Sequence, residues 1–485
     1  MNTLHGAIAC LDTGGRRFPF RGLDQLLRSL ANDILDHRDR LSGWKPQWKA
    51  FLADSGKNSE FLVTEGEAKL RSILIHAYET SPYYRKSWEA IGFRPSVAFK
   101  LDDLQQLPFL TKGIIREQKS LLVSDRFQSF ELDMSYTGGT TGTQTSFCMD
   151  HACMISRVGR QRGILELCGY RRGMRRALVW GVHSDLPPQN VRGNFKQWFR
   201  RYASNEETLC CTVMNDRMMM DYHSKLLRFR PEILYGYPSA LAQLGRFIQD
   251  RGLEPVRVST IITTAERLGG ANRRHLIRMY GGNVFNLYCT REHGCIGFEC
   301  ERHQGLHIDT GSIFMEIVKD GQRVEPGQLG EIVITDLRNY GMPFIRSRTG
   351  DMGTYSQHLC ECGSPFPLLK ELDGRSSDLV YRPDGSVVPG IMLTDLFMDL
   401  PSIRFAQFVQ ENVKQLDVLL VVTEAFSEQV QTEVVRQARE IMGNEIEVRI
   451  KLVDDISRNP RSGKIEEFIC KVDPRKALDS LETEA

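Results

Sequence analysis

Apolar residues recur with a helical period along the first part of the chain. Periodic segments run over 22–40 and 65–91, and the second is interrupted at Ser81-Pro82 because proline has no N–H to offer a helix interior. The pattern predicts a mainly helical start, at about residues 1–130, in which no group of residues indicates chemistry.

Between about 135 and 372, short apolar runs alternate with helical stretches. The runs at 177–181, 233–235, 260–264 and 283–287 are typical of buried strands, and the stretches at 239–251 and 270–280 of helices. This alternation predicts a parallel sheet, whose ligands collect at the strand ends. Residues 313–318 and 330–335 predict an antiparallel pair around the turn Lys319-Asp320-Gly321, and so a β-rich element after the α/β part.

The pattern changes again after Asp373. Strands are predicted at 405–410, 416–423 and 446–452, with an amphipathic helix at 427–442. The expected fold class is therefore α/β, with a large N-terminal domain (1–372) that joins α/β sheets to a β-rich element, followed by a small α+β domain (373–485).

Composition narrows the class of partner. The 485 residues include 63 Lys and Arg against 61 Asp and Glu, a net charge of +2, so neither nucleic acid nor an anionic membrane is expected as a partner. The 12 Cys form no regular framework, and no apolar run approaches the ~20 residues that span a bilayer. We expect a cytoplasmic protein that acts on small molecules.

A loop rich in glycine and threonine occupies residues 136–143, Tyr-Thr-Gly-Gly-Thr-Thr-Gly-Thr. Glycines let backbone N–H groups approach an anion, and threonine hydroxyls add donors, so the loop suits phosphate. No Lys follows the last glycine, which excludes a Walker loop. A surface turn of the same composition is the alternative.

Four later segments add candidate chemistry. Tyr235-Gly236-Tyr237-Pro238 places aromatic residues between a strand and a helix, and Tyr288 and Glu292 follow another strand. Tyr288 suits stacking on a planar ring, Glu292 suits Mg²⁺, and Asp351 suits ribose hydroxyls. Lys464 lies on a glycine loop near the C-terminus. Taken singly, each also fits an ordinary turn or a solvated side chain.

In their order, these motifs resemble the adenylate-forming superfamily of acyl-CoA synthetases. They read Tyr-Thr-x-Gly-Thr-Thr-Gly, Tyr-x-x-x-Glu, Thr-Gly-Asp, Gly-Arg-x-x-Asp and Ser-Gly-Lys. The chain most resembles the phenylacetate-coenzyme A ligase and CapK-like branch, through Ser81-Pro82-Tyr83-Tyr84, Leu107-Pro108-Phe109-Leu110-Thr111-Lys112, the Cys-x-x-x-x-Gly-Leu-His run that ends at His307, and Cys360-Glu361-Cys362-Gly363.

The resemblance implies ATP- and Mg²⁺-dependent formation of an acyl-adenylate, then transfer of the acyl group to coenzyme A. Lys464 would bridge the carboxylate and the α-phosphate, and the small domain that carries it would rotate between the two steps. Residues implied to hold ATP are Thr137, Gly138, Gly139, Thr140, Thr141, Gly142 and Thr143 at the phosphates, with Thr140 and Thr141 as main hydroxyl donors, Tyr288 at adenine, Glu292 at Mg²⁺, Asp351 at the ribose and Arg375 near it.

A structural Zn²⁺ is also expected, on three cysteines and a histidine: Cys300, His307, Cys360 and Cys362. Zinc prefers such soft tetrahedral ligands. His303 competes as the histidine ligand, Cys289 or Cys295 are further candidates, and unligated thiols remain the alternative.

The chain departs from the family pattern at several positions. Gly139 replaces a Ser, Cys289 stands where Gly is usual, and Arg291, which can pair with phosphate, replaces a Thr. The acidic hinge residue appears as Ser377, followed by Asp378. These departures leave open a catalytically inactive nucleotide-binding protein.

The acid and the acceptor are the least determined features. The residues expected at the acyl pocket are Tyr235, Tyr237, Pro238, Thr264, Ala265 and Glu266. Their aromatic rings favour an aryl or arylacetic acid. A carrier protein or an amine could replace coenzyme A as acceptor, and a homodimer is left open.

Overall fold

The computed structural model describes residues 21–38, 43–96, 99–136, 145–181, 202–211, 214–375, 379–384, 387–389, 393, 400, 402–456 and 467–472. Thr137 to Thr143 of the phosphate loop lie outside these residues, and so do Ser377, Asp378 and Lys464.

The chain begins with helices, as its periodicity predicts. These are α1 (Arg21–Arg38), α2 (Trp44–Asp54), α3 (Ser59–Thr80), α4 (Pro82–Glu89), α5 (Lys112–Glu117) and α6 (Lys119–Leu122). The Asn58 side chain accepts a hydrogen bond from Phe61 N and starts α3. Pro82 at the first position of α4 ends α3 at the predicted break.

A hairpin and the parallel part of the main sheet follow. Their strands are β1 (Leu132–Tyr136), β2 (Ser146–Asp150), β3 (Arg176–Trp180), β4 (Glu206–Cys210), β5 (Ile233–Gly236), β6 (Thr260–Thr264) and β7 (Asn283–Thr290). The helices among them are α7 (His151–Leu167), α8 (Asp216–Phe229), α9 (Pro238–Asp250) and α10 (Gly270–Tyr280). Strands β4, β3, β5, β6 and β7 are parallel neighbours in that order, which confirms the predicted α/β arrangement.

The β-rich element continues this sheet. Its strands are β8 (Gly294–Phe298), β9 (Leu306–Ile308), β10 (Ile313–Lys319), β11 (Gln322–Arg323), β12 (Leu329–Asp336), β13 (Ser347–Tyr355) and β14 (Leu368–Arg375). Hydrogen bonds join all twelve strands in the order β11-β10-β12-β13-β14-β9-β8-β7-β6-β5-β3-β4. The element therefore shares one sheet with β7, which carries Tyr288.

One turn connects differently from the prediction. Strands β10 and β12 pair antiparallel, as expected, but the turn at Asp320-Gly321 joins β10 to the short strand β11. Both turn residues have positive φ, 50° and 83°, which the two-residue hairpin turn requires. Strand β12 then pairs along the other edge of β10.

After Arg375 the chain builds a separate small sheet. Strands β15 (Leu379–Tyr381) and β16 (Val387–Pro389) form a hairpin, and β17 (Ile403–Asn412), β18 (Gln415–Val422), β19 (Glu447–Leu452) and β20 (Phe468–Cys470) form a sheet in the order β19-β18-β17-β20. Helix α11 (Glu428–Met442) packs Val434, Ala438 and Met442 on this sheet. The α+β class of the small domain is as predicted.

Candidate functional site

The parallel strands end together at one edge of the sheet. Gly236 of β5 lies beside Val179 of β3 and Thr263 of β6, and Thr264 of β6 lies beside Leu287 of β7. A Cβ on Gly236 would lie 2.4 Å from the Val179 carbonyl oxygen, so only glycine fits there. Ligands of open α/β sheets bind at such an edge, beyond the carboxyl ends of the strands.

Three aromatic rings meet at this edge. Trp180, at the end of β3, stacks on Tyr235 with ring centroids 6.0 Å apart and contacts Tyr237 at 4.7 Å. Tyr237 is 1% exposed and belongs to the core beneath α9, whereas Trp180 is half-buried. Trp180 is therefore a third aromatic residue beside the predicted Tyr235 and Tyr237. The dipeptide Trp180-Gly181 directly after an apolar run could have indicated it in the sequence.

Glu266, predicted to line the acyl pocket, bonds the first turn of α9 with its carboxylate. Its carboxylate accepts hydrogen bonds from Ser239 N at 3.0 Å and Ser239 Oγ at 3.1 Å, next to Pro238 at the first position of the helix. A carboxylate at a helix N-terminus is stabilised by the helix dipole. The preceding Ala265 has φ 67°, a left-handed conformation that costs about 1–3 kcal/mol and is common at functional sites.

Tyr288 and Asp351 are in direct contact. The Tyr288 hydroxyl donates to Asp351 Oδ2 at 2.6 Å, from a ring that is only 5% exposed. Burial, and then the neighbouring Asp351 charge, raise the pKa of Tyr288 well above its usual value, so the phenol keeps its proton and remains a donor. The residues predicted to contact adenine and ribose thus adjoin one another.

Buried ions hold the turn that carries Glu292. Arg157 donates to the carbonyl oxygens of Arg291, at 3.2 Å, and Glu292. Arg338 donates to the His293 carbonyl at 2.6 Å, and both guanidinium groups bond Asp336 at 3.0 Å. The bonds to residues 291–293 are made to backbone carbonyls, so the fold specifies the position of this turn independently of the Glu292 side chain.

Asp336 is the centre of that ion cluster. Burial alone would raise its pKa, but the charges of Arg338 and Arg157, with His293 Nδ1 close by at 3.9 Å, hold the pKa well below the usual range for Asp. The carboxylate therefore stays ionised between its two arginines. Asp336 ends β12, so the β-rich element supports the turn that carries Glu292.

A lysine faces Glu292 across the site. Lys112 Nζ lies 4.0 Å from Glu292 Oε1, and Thr111 caps the helix that Lys112 begins. Buried Arg346 fastens the segment before it, donating to the carbonyls of Gln105 at 3.1 Å and Leu107 at 2.6 Å. Sequence reasoning quoted Lys112 only as a family motif; the capped Leu-Thr-Lys was the available signal for its role.

The predicted phosphate loop connects the two strands of a hairpin. Tyr136 at the end of β1 pairs with Ser146 at the start of β2, and Lys119 Nζ donates to Ser146 Oγ at 2.9 Å. Of the predicted loop, Thr137 to Thr143 lie outside the described residues. Its two ends are therefore adjacent, and a lysine lies beside them.

The four predicted zinc ligands converge. The Cys300 and Cys360 sulfurs lie 3.6 Å apart, Cys362 Sγ lies 3.4 Å from His307 Nε2, and all four ligand atoms fit within 4.8 Å of one another. His303 instead contacts Glu299 and Arg273, at 3.4 and 3.2 Å. Of the two histidines, His307 is the one in the cluster.

The backbone around this cluster suits thiolates. Arg302 N and Ser364 N each donate to a cluster sulfur at 3.4 Å, from two residues further along the chain. Burial, with the neighbouring Cys360 and Cys362 thiols, raises the pKa of Cys300 to about 12. Ionising Cys300 here is therefore costly without a cation, and a Cys₃His donor set within bonding reach of one ion fits Zn²⁺.

The small domain has its own anchor points. Buried Gln410 on β17 clamps the β15–β16 hairpin, donating to the Tyr381 carbonyl at 2.6 Å and accepting from Tyr381 N at 2.9 Å. Arg404 pairs with Asp250 of α9 at 3.5 Å, which links the two domains. Arg375 ends β14, and Lys464, which lies outside the described residues, falls in sequence between β19 and β20.

Comparison with solved structures identifies the class of fold. A 2-hydroxyisobutyryl-CoA ligase in a postadenylation state superposes with a TM-score of 0.69, at 19% identity, over 86% of this chain and 90% of that one. The fold is that of the adenylate-forming CoA ligases. Among the described residues, no helix has the length and apolar character needed to cross a membrane.

Sequence relatives narrow the class to a branch. Residues 380–471 match the CapK C-terminal domain. A phenylacetate-coenzyme A ligase of Thermus thermophilus is 26% identical over 67% of this chain and 72% of its own length. Protein CapK of Staphylococcus aureus is 24% identical over 66% and 70%. The resemblance to the phenylacetate-coenzyme A ligase and CapK-like branch is thus confirmed.

Proposed function

We propose that the protein activates a carboxylic acid with ATP to an acyl-adenylate and then transfers the acyl group to coenzyme A, releasing pyrophosphate and AMP. The contact of Tyr288 with Asp351, beside a Glu292 turn held by buried ions, carries this proposal. The relatives, named as coenzyme A ligases, support the same chemistry.

In the first step, the acid carboxylate attacks the α-phosphorus and pyrophosphate leaves. Asp351 accepts the ribose hydroxyls, with Tyr288 fixing the position of the carboxylate. Glu292 would hold Mg²⁺, which offsets phosphate charge when bound. Lys112 lies close enough to Glu292 to reach the same phosphates, and we assign the bridging cation of the step to Lys464.

In the second step, the adenylate must be kept from water until a thiol arrives. Because β14 holds residues 373–375 in the large sheet, the part that would turn is the small domain after Arg375, withdrawing Lys464 and admitting coenzyme A. Strand β14 belongs to the twelve-stranded sheet, whereas β15 pairs with β16 in a separate sheet, which supports this division of the chain.

We propose an aryl or arylacetic acid as substrate. The half-buried face of Trp180, with Tyr235 stacked on it, supports a flat acyl pocket at the strand edge. The Cys₃His cluster supports a structural Zn²⁺ that ties the β8–β9 turn to the loop between β13 and β14.

Exchange of labelled pyrophosphate into ATP, run across a panel of acids, tests the first step. Lys464→Ala is expected to lower exchange by about 10²–10³-fold and to leave ATP binding in place, whereas Lys471→Ala, which breaks only an exposed pair with Glu411, serves as the control. Exchange with aliphatic acids alone would contradict the aryl pocket. Release of AMP on adding coenzyme A, a phosphopantetheinyl carrier or an amine identifies the acceptor.

Elemental analysis of the purified protein tests the metal site. One Zn²⁺ per chain is expected, with its loss and a lower unfolding midpoint in Cys360→Ser. Cys470→Ser, whose thiol lies in the small domain, is the matched control. Zinc retained in Cys360→Ser would contradict the assignment.

A further inference from the structure

Two cysteines face each other across the hairpin that carries Glu292. Cys289 on β7 and Cys295 on β8 are register partners in the antiparallel pair, directly after an irregularity in the register between Tyr288 and Cys289. Side chains directly opposite on antiparallel strands have Cβ atoms about 4.5–5.5 Å apart, close to the reach of a disulfide. The residues enclosed between the two cysteines are 290–294, and they include Glu292.

The two thiols differ in exposure. Cys289 is half-buried, whereas Cys295 is 8% exposed. The interaction with the Cys295 thiol, opposed by burial and aided by Thr264, lowers the pKa of Cys289. A partly exposed, more acidic thiol with a buried thiol beside it is the arrangement of a redox-sensitive pair.

We propose that Cys289 and Cys295 form a reversible disulfide on exposure to hydrogen peroxide, and that this bond switches off the acid activation proposed above. The Cys289 thiolate attacks hydrogen peroxide, the O–O bond breaks and Cys289 sulfenic acid forms. The hydroxide that departs takes up the proton that Cys289 lost on ionising and leaves as water. The Cys295 thiolate then attacks the Cys289 sulfur; the S–S bond forms, the S–O bond breaks, and hydroxide leaves as water with the Cys295 proton. Two thiols are oxidised and one peroxide is reduced to two waters.

The bond would act on the site through its position. Cys289 follows Tyr288 and interacts with Thr264 at the end of β6, one of the residues expected at the acyl pocket. A disulfide needs a shorter Cβ–Cβ separation, about 3.5–4.5 Å, than a regular antiparallel pair, so the link would pull β7 and β8 together at the base of the Glu292 turn. A displacement of about 1 Å in such a site costs about 10²-fold in rate.

Peptide mapping tests the bond independently of activity. Trypsin cleaves after Arg291, so Cys289 and Cys295 fall in separate peptides, 279–291 and 292–302. Treatment of the purified protein with one equivalent of H₂O₂, then alkylation, should yield these peptides joined, with fragmentation assigning the link to Cys295 rather than Cys300. Cys295→Ser should abolish the link and Cys148→Ser, a buried thiol elsewhere, should not. A link to Cys168 or Cys300, or no link, would overturn the proposal.

Activity gives the second readout. Peroxide should lower pyrophosphate exchange about 10²-fold, dithiothreitol should restore it, and Cys289→Ala should show the same activity before and after peroxide. A formed disulfide with unchanged exchange would overturn the switch. A chain that forms the disulfide but shows no exchange even when reduced would instead contradict the proposed function.

Discussion

Different interactions hold the two ends of the candidate site: ion pairs and hydrogen bonds at one end, and packed aromatic rings at the other. The proposed nucleotide end rests on charged groups: Tyr288 bonded to Asp351, and Arg157 and Arg338 bonded to Asp336 around the Glu292 turn. The proposed acyl end rests on packed rings, with Trp180 against Tyr235 and Tyr237. Directional bonds fix one geometry, whereas apolar contacts tolerate changes of shape, so we expect the acyl end to vary more than the nucleotide end.

The largest expected effect is at Asp336, on the charged end. Replacing it by Asn leaves two buried guanidinium groups without their anion, which we expect to cost about 3–5 kcal/mol of unfolding free energy. Urea denaturation measures it. Asp250→Asn, which removes an exposed pair with Arg404, is the control and should change stability by less than about 1 kcal/mol. Equal effects in the two variants would show that the cluster does not support the turn.

The same substitution has a signature in pH. The pKa of Asp336 is depressed in the folded state, so below the unfolded value of about 3.9 the unfolded chain binds the extra proton and stability falls. Asn cannot titrate. The difference in stability between the two proteins should therefore be largest above about pH 4 and narrow as the pH falls. Urea midpoints from pH 6 downward measure it, and a constant difference would contradict the depressed pKa.

The bond between Tyr288 and Asp351 is the next contribution in size. Tyr288→Phe keeps the ring and removes the hydroxyl, so the Asp351 carboxylate loses a donor at 2.6 Å. A hydrogen bond to a charged group contributes about 1.5–3 kcal/mol. We expect kcat/KM for ATP to fall by the corresponding ~10–150-fold with the acid KM little altered. Tyr355→Phe, whose hydroxyl bonds only the Met315 carbonyl among the contacts described, is the matched control.

Sequence reasoning predicted the two ends unequally. The motif residues of the charged end could be named in advance because each has a side chain with a distinct chemical role. Arg157 and Arg338 could not be named in advance. Arg157 lies on α7 and Arg338 follows β12, and both bond backbone carbonyls of the distant Glu292 turn, which no sequence motif indicates. Likewise, Glu266 fits a pocket wall by position, yet it caps α9, a contact between residues 27 apart in the chain. The periodicity of apolar residues predicts helices and strands, but it does not predict which arginine will contact a turn far away in the chain.

At the acyl end, the expected effect is smaller and concerns selectivity. Trp180→Ala opens space against Tyr235 and removes a stacking face worth about 0.5–1.5 kcal/mol. In the acid panel, we expect aryl acids to lose about 2–12-fold relative to branched aliphatic acids, with the KM for ATP unchanged. Trp48→Ala, on α2 with its indole bonded to Glu166, is the control. A uniform loss across all acids would show that Trp180 supports the fold rather than the pocket.

The smallest expected effect returns to the charged end and separates two roles for Lys112. Its Nζ is 4.0 Å from Glu292 and its side chain is 48% exposed. If the lysine only pairs with Glu292, Lys112→Met should cost no more than about 1 kcal/mol, a change of less than about sixfold in exchange. If it reaches the ATP phosphates, the loss should exceed this limit and the KM for ATP should become less sensitive to salt, because a cation has left the phosphate site. Lys112→Arg, which keeps the charge, should recover most of the activity in the second case. Because the Gly/Thr loop has no lysine of its own, a large effect would identify Lys112 as the cation that the large domain adds to the phosphate site.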